Sequence, residues 1–188
     1  MTLFQDKYRI ESARLPGWNY ANDGSYFLTI CTHNCECFLG EILNGNLVLS
    51  HYGEIVREEL LRSFEMRHEL KCVSCVIMPN HLHLIVNLNQ LEPSKYKVPR
   101  ISAMRPKSIS SFVGGFKSSA TSRINALRNS KGRQVWHPRF YDHLIRNNCE
   151  FELIYNYIAQ NPAIWHKDRF NNKKDSNTDS SIYPDNLA

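Results

Sequence analysis

The most informative run of the chain alternates apolar and polar positions directly after a Pro-Asn break. Residues 76–86 read Val-Ile-Met-Pro-Asn-His-Leu-His-Leu-Ile-Val. In a β-strand, residues i and i+2 point to the same face, so His81 and His83 project together while Leu82 and Leu84 face the core. Two parallel imidazoles form half of a divalent-metal site, because neutral imidazole binds several transition metals. Two polar residues on the wet face of a half-buried strand are the alternative.

The rest of the hydrophobic pattern predicts an antiparallel sheet accompanied by helices. Runs of β-branched and aromatic residues predict strands at 25–33, 38–43, 47–49, 69–77 and 81–88. Apolar residues at helical spacing predict helices at 51–67, 108–128 and 148–164. Asn44-Gly45 predicts a tight hairpin turn, and Ser50 is placed to cap the first helix.

Three other stretches carry no clear period. Residues 89–106 contain three prolines and are predicted to be a loop, and residues 136–146 mix aromatic, histidine and arginine side chains. Residues 171–188 are polar, which is typical of a mobile tail. The chain of 188 residues is therefore expected to form a single domain over residues 1–170, followed by a mobile C-terminal tail over residues 171–188.

The positive charge is concentrated in one segment. The net charge is +5, yet residues 100–146 contain ten Lys and Arg against one acid, Asp142, so this segment alone carries +9. A localised basic block is expected of a protein that binds a phosphate backbone, whereas a solubilising surface usually mixes both signs. No apolar run is long enough to span a membrane and no signal sequence is evident, which favours a cytoplasmic location.

The six cysteines are not spaced like a secreted disulfide framework, so free thiols are expected. Cys35 and Cys37 could in principle join Cys72 and Cys75 in a zinc site. Residues three apart in a regular strand point to opposite faces, however, which argues against a shared ion at Cys72 and Cys75.

A second element is placed to complete the histidine site. Tyr157 and Asn161 are four residues apart on the predicted helix 148–164 and so share a face. If that helix packs over the sheet surface bearing His81 and His83, the Asn161 carbonyl oxygen becomes a third ligand and Tyr157 a nucleophile beside the metal. A divalent ion neutralises charge on a phosphate, and tyrosine attack conserves the phosphodiester energy as phosphotyrosine. Tyr157 alone, one of nine tyrosines, is more often structural.

These features together resemble a known family. The chain is similar to the REP-associated tyrosine transposases, which are single-tyrosine members of the HUH endonuclease superfamily. HUH denotes two histidines flanking a hydrophobic residue, here His81-Leu82-His83. The matching stretches are residues 14–17, 26–32, 76–86, 116–118, 136–146 and 157–162.

The resemblance implies an α+β fold, a ferredoxin-like sandwich with a central antiparallel sheet and helices packed on one face. It also implies cleavage of single-stranded DNA next to a hairpin with Mg²⁺ or Mn²⁺, which joins the enzyme to a 5′-phosphate and frees a 3′-hydroxyl. By this likeness His81 and His83 are metal ligands and Tyr157 is the nucleophile. Asn161 stands where other branches have glutamine; both side chains offer an amide oxygen.

Further candidates come from the basic block and the family-like stretches. Residues considered for phosphate, base or near-metal contacts are Lys117, Ser118, Trp136, Arg139, Arg146 and His143. Lys117 and Ser118 are the best choices for phosphate contacts. For Trp136 a core position is favoured, and His143 either lies near the metal or packs near Tyr155.

The implied partner is single-stranded DNA with a hairpin, in the nucleoid of a bacterial cell. Both a homodimer and a monomer are compatible with the sequence. Two other functions stay open. One is a catalytically inactive regulatory protein that binds DNA hairpins, and the other is a hydrolytic phosphoesterase with His81 as nucleophile.

Overall fold

The computed structural model describes residues 18–89 and 107–171 of the chain. Its strands and α-helices are β1 (Gly24–Cys31), β2 (Gly40–Leu43), β3 (Asn46–Leu49), α1 (His51–Glu65), β4 (Leu70–Ile77), β5 (His81–Leu88), α2 (Ile109–Leu127), β6 (Tyr141–Ile145) and α3 (Asn148–Gln160). Three segments discussed above lie outside the described residues. They are nearly all of the predicted proline-containing loop, the stretch 14–17 that resembles the transposase family, and almost the whole predicted tail. No helix within the described ranges is long and apolar enough to cross a membrane.

The main sheet has four strands in the order β4-β5-β1-β6, and every neighbouring pair is antiparallel. Without the β2–β3 hairpin and α3, the chain order is β1-α1-β4-β5-α2-β6, which is the ferredoxin-like arrangement. The predicted α+β fold with a central antiparallel sheet is confirmed.

Side-chain alternation divides the sheet into two faces with different partners. One face, which includes Leu28, Leu82 and Leu84, forms the main core with α1 and α2. The other face, which includes Phe27 and Ile85, packs against the buried isoleucines of α3. The expectation of helices on one face holds for α1 and α2, while α3 lies across the opposite face, the one that carries the histidines.

Local chemistry sets the ends of the elements. Ser50 accepts a hydrogen bond from the Gly53 amide at 3.1 Å and so caps α1, as its position predicts. Asn44 and Gly45 both have positive φ, 51° and 77°, which a tight two-residue hairpin turn requires. Helix α3 begins at the predicted residue but ends at Gln160, because Pro162 lacks an amide hydrogen and its ring would clash with a carbonyl of the preceding turn.

Strand β4 contains a bulge that the sequence does not reveal. Its register shifts between Cys72 and Ser74, so that Cys72 lies opposite Val86 and Cys75 opposite Leu84. Because Val86 and Leu84 share a face, Cys72 and Cys75 also share one, and the prediction that they point apart is wrong: the bulge adds one residue. The one group of three or more His, Cys, Asp or Glu ligands found in the described part of the chain contains no cysteine.

A buried carboxylate joins α1 to α2. The side chain of Glu59 is 2% exposed; it accepts hydrogen bonds from the Ser119 hydroxyl and, at 2.9 Å, from Arg123 Nη1. Burial opposes ionisation, but the bonds from Ser119 and Arg123 outweigh it and lower the pKa of Glu59. A pair of this kind stabilises the fold only while the carboxylate is charged.

We expect Glu59→Gln to lower the free energy of unfolding by about 1–3 kcal/mol at pH 7, because a charge-assisted bond is replaced by a neutral one. Since the folded pKa of Glu59 lies below the unfolded value, the stabilisation is present above that unfolded value and is lost as the pH falls through the folded pKa. Urea unfolding at pH 7 and at acid pH measures both effects.

The control is Glu58→Gln, because Glu58 pairs with the same arginine, Arg123, but is 55% exposed. Its expected cost is below about 1 kcal/mol. Equal losses in the two variants would contradict a special role for the buried carboxylate.

Candidate metal and tyrosine site

His81 and His83 begin β5 and point together to the face covered by α3. The strand register places His81 opposite Cys31 and His83 opposite Thr29. The two imidazole centroids lie 4.5 Å apart, and the side chains are 0% and 1% exposed. The alternation in the sequence thus gives a close imidazole pair, but a buried one rather than one on a wet face.

The hydrogen bonds of Asn80 fix the tautomer of His81. Asn80 Nδ2 donates to the carbonyls of Cys35 at 3.0 Å and Phe170 at 2.7 Å, so its Oδ1 is the acceptor. That oxygen lies 2.9 Å from His81 Nδ1, which must therefore carry the proton. The lone pair of His81 is then on Nε2, a buried atom with no hydrogen-bond partner among the described residues. Orientation by a neighbouring group is typical of metal-binding histidines.

His83 is oriented in the same way. Its Nδ1 lies 2.9 Å from Thr29 Oγ1, and its Nε2 lies 3.2 Å from the Tyr157 hydroxyl. A hydroxyl can donate or accept, so the Thr29 contact allows the tautomer with the proton on Nδ1, in which Nε2 accepts a hydrogen bond from Tyr157. Thr29 thus positions the ring while Tyr157 occupies the Nε2 lone pair, so a cation bound at Nε2 would replace the hydrogen bond from Tyr157.

The electrostatics keep both rings neutral. Burial lowers the pKa of His81 to about 3, and the Arg169 guanidinium adds to the effect. Burial also lowers the pKa of His83 well below its usual value, with further contributions from His81 and Arg169. Neutral rings have the lone pairs that a cation requires.

Tyr157 reaches this site from a helix 74 residues further along the chain. Ile154 and Ile158 anchor α3 to the sheet, while the neighbouring Tyr155 is 42% exposed. The half-buried Tyr157 ring lies 5.2 Å from the His83 ring, measured between centroids. The structure therefore brings the predicted tyrosine and the predicted histidines together within one chain.

Asp168 is a member of the cluster that the sequence did not indicate. Its carboxylate and the ligand atoms of His81 and His83 all lie within 4.8 Å of one another. Asp168 is 1% exposed, with Oδ2 3.9 Å from His81 Nε2 and Oδ1 accepting the Phe170 amide at 2.7 Å. It follows the last helix in an aperiodic segment, so no sequence pattern marked it.

Asn161, the predicted third ligand, is fully buried at the C-terminal end of α3. Neither its amide oxygen nor its amide nitrogen has a hydrogen-bond partner among the described residues. Leaving such a group unsatisfied costs about 1–3 kcal/mol, which a bound cation or water would remove. Asn161 therefore stays a candidate ligand alongside Asp168.

The available donors fit a divalent cation. Two imidazole nitrogens and a carboxylate oxygen form a common ligand set for first-row metals. A cation would also complement the buried Asp168 charge and the His81 Nε2 lone pair.

Residues 165–171, here called the covering segment, close the site from outside. The Trp165 and Phe170 rings lie 6.0 Å and 4.6 Å from the His81 ring between centroids. The hydrogen bond from Asn80 to the Phe170 carbonyl ties the segment to the start of β5. The histidines have almost no solvent exposure as a result.

Several predicted DNA contacts lie around a separate groove between α2 and residues 132–138, here called the α2 groove. Its volume is about 520 Å³, and it is lined by Lys117, Ser118, Thr121, Gly132, Arg133, Gln134, Val135, Trp136, His137 and Pro138. None of these ten lining residues is acidic. Ser118 is exposed, whereas Trp136 is 5% exposed and packs against Phe116, the core position that the sequence favoured.

Lys117 holds one wall of the α2 groove in place. Its ammonium donates to the carbonyls of His137 at 2.8 Å and Arg139 at 2.9 Å, and burial lowers its pKa to about 8. The same wall reaches the histidine site, because the His137 amide donates to the Cys31 carbonyl at 2.9 Å and Cys31 lies opposite His81.

The remaining candidates lie at the β6 edge of the sheet. His143 Nε2 and the Glu150 carboxylate are 2.7 Å apart, and the other oxygen of Glu150 accepts the Arg146 amide at 2.7 Å. His143 shares the face of the metal-ligand candidates but is engaged by Glu150 at the start of α3. The Arg139 and Arg146 side chains are exposed.

Comparison with known proteins finds a protein of related sequence and solved structures that align with this chain. An uncharacterized protein of Haemophilus influenzae is 34% identical over 165 residues, which cover 84% of this chain and 91% of that one. A REP-associated tyrosine transposase bound to a REP hairpin shares the fold at a TM-score of 0.56 and 19% identity, over 79% of this chain and 72% of that one. A candidate transposase from Deinococcus radiodurans aligns at a TM-score of 0.45 and 15% identity, over 78% and 96% of the two chains. No model of an established protein family matches.

Proposed function

This chain belongs to the family of the Haemophilus influenzae protein, and from its site we propose that it cleaves and rejoins single-stranded DNA through Tyr157. The observation that carries the proposal is the 3.2 Å separation of the Tyr157 hydroxyl and His83 Nε2, inside a buried cluster with His81 and Asp168. A nucleophile beside oriented metal-ligand donors is the arrangement that phosphoryl transfer to a side chain requires. One solved structure of similar fold is a REP-associated tyrosine transposase bound to a REP hairpin, which supports our proposal of a DNA substrate.

In the proposed reaction the Tyr157 oxygen attacks phosphorus, loses its proton to solvent and displaces the 3′-oxygen of the preceding nucleotide. The product is a 5′-phosphotyrosine and a free 3′-hydroxyl, so the phosphodiester energy is kept for rejoining. A divalent cation such as Mg²⁺ or Mn²⁺, held by His81, His83 and Asp168 with Asn161 as a further candidate, supplies charge neutralisation at the phosphate. Asn80 fixes the tautomer of His81, and Thr29 holds the His83 ring in place.

The covering segment has to move for this reaction to occur. A phosphate cannot reach donors that are 0–1% exposed while Trp165 and Phe170 lie over them. The DNA substrate must therefore displace these side chains or bind a form in which they have swung away.

We also propose that the α2 groove binds the DNA backbone close to the site. Arg133, Ser118 and His137 line it, and its wall continues to Cys31 beside His81. Arg133 is 60% exposed and lies 3.8 Å from Glu36, a surface pair too weak to prevent a phosphate contact. A DNA substrate would place the protein at the nucleoid.

We expect the wild-type protein to form a covalent adduct with a hairpin oligonucleotide carrying unpaired flanks when Mn²⁺ is present. Tyr157→Phe should reduce the adduct to background, because the attacking oxygen is gone. Denaturing gels and the mass of the Tyr157 peptide measure the product. Tyr155→Phe, on the exposed side of the same helix, is the control and should react normally.

Two results would overturn this reading in different ways. Cleavage that persists in Tyr157→Phe would favour hydrolysis with a histidine nucleophile. Tight hairpin binding without any adduct from the wild-type protein would favour a regulatory DNA-binding protein.

We expect Asp168→Asn to weaken Mn²⁺ binding about tenfold or more, measured by calorimetry, because the isosteric change removes a charged ligand from the cluster. Asp142→Asn is the matched control. Asp142 is also buried, at 2% exposure, but it does not belong to the group of possible metal ligands formed by His81, His83 and Asp168. Mn²⁺ binding that is equal in both variants would remove Asp168 from the site.

We expect Arg133→Ala to lower the slope of log affinity against log salt by about one, because one phosphate contact is lost. The control is Arg57→Ala, since Arg57 has a similar exposure, 58%, and a similar surface partner, Glu54. Binding measured by fluorescence anisotropy over a salt series tests this. Identical slopes for the two variants would exclude the α2 groove as a phosphate-binding surface.

A further inference from the structure

Cys72 and Cys75 form a thiol pair on an edge strand of the sheet, on the face opposite to His81 and His83. Strand β4 is the outermost strand, and its bulge turns both cysteines to the same face. Val73, the residue inserted between them, packs instead with the α3 cluster. The bulge is thus what makes a pair out of two residues that a regular strand would separate.

The two thiols lie close enough to influence each other's ionisation. The Cys72 thiol donates to the Ser74 carbonyl, with the sulfur 3.8 Å from the oxygen. Same-face neighbours along a strand lie about 6.6 Å apart, close to the upper limit of Cα separations in disulfides, and a bulge bends the strand. Both residues are free cysteines, with Cys75 exposed and Cys72 partly buried.

We propose that Cys72 and Cys75 are a redox-active pair that closes reversibly into an intramolecular disulfide, with a small-molecule disulfide as the oxidant. Cys75 is the attacking residue because it is the exposed member. Cys72 is the resolving residue because it lies beside Cys75 and is less accessible.

The reaction has two exchange steps. The Cys75 thiolate attacks one sulfur of the oxidant, which breaks the oxidant's disulfide, releases one small thiol and forms a mixed disulfide. The Cys72 sulfur then attacks the Cys75 sulfur and releases the second small thiol. Two electrons pass from the protein pair to the oxidant, and the two cysteine protons end on the two released thiols.

The electrostatics agree with this division of roles. The neighbouring Cys72 thiol lowers the pKa of the Cys75 thiol to about 7, while the neighbouring Cys75 thiol and burial raise the pKa of Cys72. Cys31 shows the contrast, since burial raises its pKa to about 12. Redox-sensitive sites commonly place a reactive thiol next to a resolving cysteine.

The test uses the full-length protein, glutathione disulfide as the probe, and alkylation of the remaining thiols before trypsin digestion. Both cysteines fall in one tryptic peptide, residues 72–95. We expect this peptide to lose two hydrogens without gaining alkyl groups or glutathione. In Cys72→Ser the reaction should stop with one glutathione on Cys75, whereas Cys75→Ser should gain none at Cys72.

Cys149, an exposed cysteine at the start of α3, is the control for general thiol reactivity. At pH 7 the first step at Cys75 should be faster than at Cys149, because the neighbouring Cys72 thiol lowers the pKa of Cys75. A mixed disulfide that persists on wild-type Cys75 would overturn the proposal. Glutathionylation of Cys75 that is no faster than that of Cys149 would also overturn the proposal. The wild-type peptide masses decide the question even if a variant fails to fold.

Discussion

The structure depends first on the strict alternation of side chains along β5. This strand is paired on both sides, with β4 and β1, so its register is fixed. Leu82 and Leu84 then enter the core formed with α1 and α2, and His81 and His83 must point to the opposite face. A slip of one residue would exchange the two faces. The position of the candidate site therefore follows from the packing of the core.

Burial keeps the two imidazoles neutral, because it lowers the pKa of both histidines. A buried polar group is costly in a dry interior unless something balances it, and within the described ranges the Asn161 amide has no hydrogen-bond partner. Asn80 and Thr29 each provide a partner for the ring nitrogen that faces away from the cluster. The result is a set of fixed lone pairs aimed at one place, with Tyr157 at its edge.

Much of this arrangement could be predicted, and the failures have physical causes. Strand alternation and helical spacing are local, so they predicted the histidine pair and the tyrosine helix. Strand β6 was missed because it is short and contains the buried Asp142 and the His143–Glu150 pair in place of a clean apolar pattern. The β4 bulge and the approach of Asp168 depend on tertiary contacts that leave no period in the sequence. Consequently the sequence misjudged Cys72 and Cys75 and did not indicate Asp168.

The central claim is that both imidazoles bind one cation through the nitrogens left unprotonated by their neighbours. Pulsed electron paramagnetic resonance of the protein with one equivalent of Mn²⁺ tests it directly, because coordinated imidazole nitrogens modulate the manganese signal. The account predicts modulation from two imidazoles in the wild-type protein and from one in His83→Ala. A manganese signal without nitrogen coupling, or one unchanged by His83→Ala, would contradict it.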